Sequence, residues 1–238
     1  MSSLETSVSP TSRTNGRASS SGAACAALVM RADPRSAVAE AYRTLAANLQ
    51  LASVDRQVQT VGVTSPAAGE GKSTTIANLA IALADNGRRV VLVDADLRRP
   101  ALHELFGLSN REGLVNLLTE EQDPLPLQDT GTPGLQLLAS GPPPPNPLYL
   151  LTSRRLDQAL ARARAQADVV LVDTPPAAIL ADAALLAPRL DGMLLVVSAG
   201  RTRRDLARRA KEQLERTGSN VLGVVLVNVR ESAKLYEY

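Results

Sequence analysis

The sequence predicts an α/β fold, a mostly parallel β-sheet with helices on both faces, and three observations predict it. Strand candidates recur at residues 59–63, 89–93, 135–139, 168–172, 193–197 and 221–227, and several are continuous aliphatic runs rather than alternating ones. Strands that read this way are buried on both faces, as in parallel sheets. Helical patterns fall between and after them, at 73–85, 100–105, 113–118, 153–166, 178–186 and 202–217, and strand–helix alternation is how a parallel sheet is wired. Finally, a glycine-containing loop joins the first of these strands directly to the first of these helices.

The elements ahead of that loop are simpler. Residues 1–30 are expected to be a flexible tail or linker, because up to about Ala27 they are rich in Ser, Thr, Gly and Ala without an apolar period. Residues 31–238 then form one domain ending in a short tyrosine-containing tail. A helix over 36–51 follows from Val38, Tyr42, Leu45 and Leu49 at helical spacing, with Pro34 just ahead. The run from Gly141 to Pro147 reads as a stiff extended loop inside the domain.

Composition sets bounds. The 238 residues suffice for an α/β domain with a sizeable core. Aromatic residues make up 2%, so Leu, Val, Ile and Ala must build that core. A formal charge of +2 is too mild to imply a nucleic-acid partner, and none is expected. Lone Cys25 excludes an intramolecular disulfide and fits a reducing compartment, and lone His103 excludes a histidine-rich metal site. No run approaches the roughly 18 apolar residues of a membrane helix. The expectation is a cytoplasmic protein whose link to the membrane comes through a partner.

The loop carries the chemistry. Thr64-Ser-Pro-Ala-Ala-Gly-Glu-Gly-Lys-Ser-Thr74 stands between strand and helix as a P-loop does. Gly69 and Gly71 allow backbone conformations in which successive N–H groups point inward, and the helix N-terminus adds to that anion nest. Gly69, Glu70, Gly71, Lys72, Ser73 and Thr74 are the expected nucleotide-binding positions: Lys72 on the β- and γ-phosphates, the Ser73 hydroxyl on Mg²⁺. The ligand class is therefore ATP or a similar triphosphate with Mg²⁺. Pro66 stands where the usual pattern has its first glycine.

Two more strand ends bear acids. Residues 89–100 read RVVLVDADLRRP, placing Asp94 and Asp96 where ligands sit in an open parallel sheet, outside the carboxyl ends of strands. These acids could hold Mg²⁺ or its waters and orient an attacking hydroxyl, with Arg98 and Arg99 free to pair with phosphate or with the acids. Residues 168–176 read DVVLVDTPP, with Asp173 in a Walker-B-like place near the Mg²⁺ of Ser73. The last strand ends in Asn228, which is either a turn former or an amide able to read a purine edge. Arg201, Arg203, Arg204, Arg208, Arg209 and Lys211 crowd one helix, as a solvated face or as a contact for an anionic partner.

From about Asp33 to Asn228 the chain resembles the bacterial tyrosine kinases of the capsular and exopolysaccharide type, within the P-loop ATPases that include the MinD and ParA partitioning proteins. The residues carrying the resemblance are VVLVDADLRRP at 90–100, LFGLSNREGLVNLL at 105–118, LASGPPPPNPLYLLTS at 138–153, LVDTPP at 171–176 and GVVLVN at 223–228. The partitioning ATPases carry an early lysine in the loop where this chain has Ala67, which favours the kinase branch. The resemblance implies autophosphorylation with Lys72, Asp94 and Asp96 as catalytic residues, Asp96 activating the acceptor hydroxyl. It implies Ser73, Asp94 and Asp173 at the metal, Asn228 at adenine, and Tyr236 and Tyr238 as phosphoacceptors. It also implies regulation of polysaccharide synthesis and export, a membrane activator of the chain-length-regulator type, and homo-oligomers. The family's E-x-x-R-x-x-R is here Glu40, Arg43 and Ala46, which puts a ring-like assembly in doubt. Two rival readings are a MinD/ParA-like switch ATPase without protein phosphorylation and an inactive nucleotide-binding interaction module.

Overall fold

In the computed structural model, which describes residues 27–55, 58–120 and 124–229, seven strands form one sheet. They are β1 (Thr60–Thr64), β2 (Val90–Asp94), β3 (Gln128–Asp129), β4 (Leu135–Leu138), β5 (Val169–Asp173), β6 (Gly192–Ser198) and β7 (Val221–Val227), in the order β3-β4-β2-β5-β1-β6-β7. Every neighbouring pair is parallel except β3–β4. The six strand candidates thus became strands, shifted by at most a residue or so. The seventh, β3, is two residues long and carries no readable period.

The continuous runs are explained by two cores, one on each face. Successive side chains point to opposite faces, so Val91 and Val93 enter one core while Val90 and Leu92 enter the other. The second core is closed by α1 (Val29–Ala32), α2 (Ala37–Asp55), α3 (Lys72–Asp85) and α4 (Leu102–Phe106). The first is closed by α5 (Leu114–Thr119), α6 (Pro147–Leu151), α7 (Arg154–Gln166), α8 (Asp182–Leu186) and α9 (Arg204–Arg216). Helix α6 begins on Pro147, and the Asn146 side chain accepts the Tyr149 N–H at 3.2 Å, so the proline-rich loop ends in a capped turn of helix.

One expected boundary needs correction. The packed body starts earlier than residue 31: Leu28 and Met30 are buried, and Asn78 on α3 clamps them in place. Its Oδ1 accepts the Met30 N–H at 3.0 Å, and its Nδ2 donates to the Ala27 carbonyl at 2.9 Å. A four-residue helix is too short to show a period. Ala46 is fully buried in the second core, so that position packs inward, whereas Glu40 and Arg43 pair on the surface at 2.9 Å. Residues 1–26 of the expected tail, with Cys25, lie outside the described residues, as do Tyr236 and Tyr238.

Candidate active site

Strands β1, β2 and β5 lie side by side in the sheet, so the three motif-bearing loops leave the same edge together. They enclose a cavity of about 510 Å³ between the β1–α3 loop, the segment after β2 and the segment after β5. In the first loop Gly69 (φ 75°) and Gly71 (φ 91°) take left-handed conformations that cost other residues energy. Helix α3 then starts at Lys72, with its N-terminus at the cavity.

Lys72, Ser73, Asp96 and Asp173 form one cluster. The Lys72 ammonium lies 2.8 Å from Asp96 Oδ2 and 3.4 Å from Asp173 Oδ2. The Ser73 hydroxyl donates to Asp173 Oδ2 at 2.6 Å. Burial alone would lower the Lys72 pKa, but the charges of Asp173 and Asp96 outweigh it and hold the ammonium above its ordinary range. Burial pushes the Asp173 carboxyl up, against the pull of Lys72 and Ser73. A hydroxyl and two carboxylates of this kind are the hard oxygen donors Mg²⁺ prefers, with phosphate and water completing the shell. Among the described residues there is no cluster of three or more His, Cys, Asp or Glu able to cage a metal.

Asp94 stands elsewhere. It is fully buried, does not line the cavity, and has both oxygens occupied: Oδ1 accepts the Asp96 N–H at 3.2 Å, and Oδ2 accepts those of Ala101 and Leu102 at 3.0 Å each. In this arrangement it braces the turn that carries Asp96, one step behind the acids that touch Lys72. Burial, then the charge of Asp173 beside it in register, pushes its pKa up to about 8. The Glu70 side chain also points away from the cavity. Oε2 accepts the Ala67 N–H at 3.0 Å and Oε1 accepts the Thr202 hydroxyl at 2.7 Å, so Glu70 shapes the loop from behind. Arg201 adds a second strap, its Nη1 donating to the Gly69 carbonyl at 2.9 Å.

Asn228 sits around the corner. It follows β7 with φ 56° and donates through Nδ2 to Ser198 Oγ at 2.9 Å. A groove of about 1090 Å³ between α2 and β7 reaches from Asn228 to Gly71 and Thr74, which also border the first cavity. A molecule bound at the loop can thus extend toward Asn228. Sequence reasoning missed Asp182, which holds Arg98 by two bonds of 2.7 and 3.2 Å, and Thr202 behind the loop, and it put Arg201 on a helix that in fact starts at Arg204. Each is distant in sequence from its partner and carries no local signal.

The ParA family model, described as NUBPL iron-transfer P-loop NTPase, matches residues 56–231. The tyrosine-protein kinase YwqD of Bacillus subtilis is 42% identical over 212 residues, 89% of each chain. The solved kinase domain of the Escherichia coli tyrosine kinase ETK superposes with a TM-score of 0.80 at 31% identity, over 89% of this chain and 84% of that one. The Pyrococcus horikoshii septum-site protein MinD, solved with Mg-ADP, shares the fold at a TM-score of 0.60 and 22% identity, over 71% and 69% of the two chains.

Proposed function

We infer that this chain, which belongs to the bacterial tyrosine kinases of the capsular and exopolysaccharide type within the P-loop ATPases, is an ATP-dependent protein-tyrosine autokinase. The observation that carries the reading is the Lys72–Ser73–Asp96–Asp173 cluster at the base of the cavity. ATP lays its phosphates along residues 69–74 and its base toward Asn228. Ser73 and Asp173 would hold Mg²⁺, which would supply charge neutralisation at the phosphates. Lys72, which lies between Asp96 and Asp173 in this structure, would serve the phosphates.

Asp96 takes the proton. It is a carboxylate at the cavity wall, with Oδ1 fixed by the Arg99 N–H at 3.0 Å and Oδ2 facing Lys72. The acceptor tyrosine oxygen attacks the γ-phosphorus, the bond from that phosphorus to the β,γ-bridging oxygen breaks, and ADP leaves. The hydroxyl proton passes to Asp96 and then to solvent. The acceptors are Tyr236 and Tyr238 of a neighbouring copy, and added phosphate charge loosens the assembly.

Among the described residues no helix is long and apolar enough to cross a membrane. We assign the chain to the inner membrane face through an activator of the chain-length-regulator type, where it regulates polysaccharide synthesis and export. The deciding experiment incubates the full chain and Lys72→Met with Mg-ATP and maps phosphate by mass spectrometry. Phosphotyrosine at 236 or 238 in the parent alone is the expected result. Free phosphate without phosphotyrosine would replace the reading with a switch ATPase, and neither product would leave a nucleotide-binding module.

A further inference from the structure

One wall of the cavity lies outside the phosphate loop. It is formed by Arg98 and Arg99 after β2 and by Pro176, Ile179 and Leu180 after β5. Arg98 is committed: its guanidinium grips Asp182, a carboxylate only 1% exposed, in a two-point contact. Arg99 is exposed, and its backbone N–H donates to Asp96. Among the described residues its guanidinium has no carboxylate partner. Ile179 is 64% exposed at the same mouth, a large aliphatic side chain on the wall it shares with Pro176 and Leu180. The wall thus offers an apolar shelf and a free cation that line the same cavity as the proposed proton acceptor Asp96.

One segment of this chain matches that chemistry. Residues 236–238 read Tyr-Glu-Tyr, so a single carboxylate, Glu237, flanks both tyrosines. We propose that this wall is the acceptor-docking surface and that it selects tyrosines with an acidic neighbour. The ring of Tyr236 or Tyr238 from a second copy lies on Ile179, and Glu237 meets Arg99. Aromatic rings gain by burying on aliphatic surface, and an ion pair at this exposure discriminates by a modest factor rather than a large one. The inference rests on the kinase reading and adds a substrate preference to it.

The test supplies the full chain with a synthetic decapeptide of residues 229–238 and with the same peptide carrying Glu237→Lys, and measures kcat/KM for peptide and KM for ATP. The parent is expected to favour the glutamate peptide by about fivefold. Arg99→Glu should reverse that preference, and Ile179→Ser should raise KM for both peptides while leaving KM for ATP within about twofold. Retention of the original preference in Arg99→Glu overturns the proposal. So does a rise in KM for ATP without a change in peptide preference, because the guanidinium would then serve nucleotide phosphate. A chain that phosphorylates its own tyrosines but treats both peptides alike loses the docking surface and keeps the kinase reading. Absence of phosphotyrosine on chain and peptide removes both.

Discussion

Lys72 stands between two carboxylates that are nearly sealed from water, Asp96 and Asp173, and its removal acts on both chemistry and stability. Lys72→Met deletes the proposed phosphate contact and leaves two buried acids without their cation. Phosphoryl transfer should fall at least about 100-fold, the scale for losing one charge-stabilising donor. The unliganded variant should also melt below the parent, because stranding a buried charge costs about 3–5 kcal/mol before protonation relieves part of it. Asp96→Asn should match the kinetic loss with a smaller thermal shift, since it removes one acid instead of orphaning two. Asp94→Asn should do the reverse: an amide cannot accept N–H bonds on both sides, so the turn loosens and the melting point drops. A thermal scan of the three variants beside single-turnover assays separates these outcomes. The pairing D-x-D was legible as chemistry, but not which acid faces the cavity. Residues two apart share a face only while the strand continues, and β2 ends at Asp94.

Elements position the cluster from behind. The Glu70–Thr202 bond joins the phosphate loop to the turn after β6, and the Thr202 hydroxyl also accepts the Ser198 N–H at 2.9 Å. Thr202→Val should raise KM for ATP several-fold with a near-normal kcat, and Thr202→Ser should restore it. Equal KM in all three would mean the loop keeps its shape without the strap. At the other end of the sheet edge, a Cβ on Gly113 would stand 2.1 Å from the Ala139 carbonyl oxygen, which is backbone and cannot swing away. Gly113→Ala should therefore destabilise by about 1–3 kcal/mol or more, the range for overpacking, as read by urea unfolding. The glycine was visible in the sequence within REGLVNLL; the reason for it was not. Contacts such as Gly113 with Ala139, Arg98 with Asp182 and Glu70 with Thr202 join segments far apart in the chain, and no local period encodes them.

Across the whole molecule, the layout of the site followed from topology. Parallel strands end together, so three aliphatic runs closed by acids or by a glycine loop had to converge on one edge. The opposite edge, where the strands begin, was silent in the sequence yet is tied by Asp191. Its Oδ2 accepts the Gln59 and Thr60 N–H groups at 2.9 and 2.7 Å and the Thr60 hydroxyl at 2.7 Å, and Arg164 on α7 approaches Oδ1 at 3.3 Å. One carboxylate thereby joins β1, the start of β6 and α7. Burial would raise its pKa, but the bonds from Thr60 and Gln59 and the charge of Arg164 prevail and hold it below the ordinary range. The sign of the consequence is fixed. A carboxyl whose folded pKa is depressed contributes stability above its unfolded pKa of about 3.9, and that contribution is lost as pH falls through the folded value. The stability gap between the parent and Asp191→Asn should accordingly be constant from about pH 5 to 7 and shrink as the pH is lowered below about 4. Nucleotide affinity at neutral pH should change little, because the residue lies a full strand length from the phosphate loop. Urea unfolding at pH 6 and 3.5, with ATP titration at pH 7, reads both. A gap that stayed the same at pH 3.5 would show that Asp191 acts through packing and not through its charge.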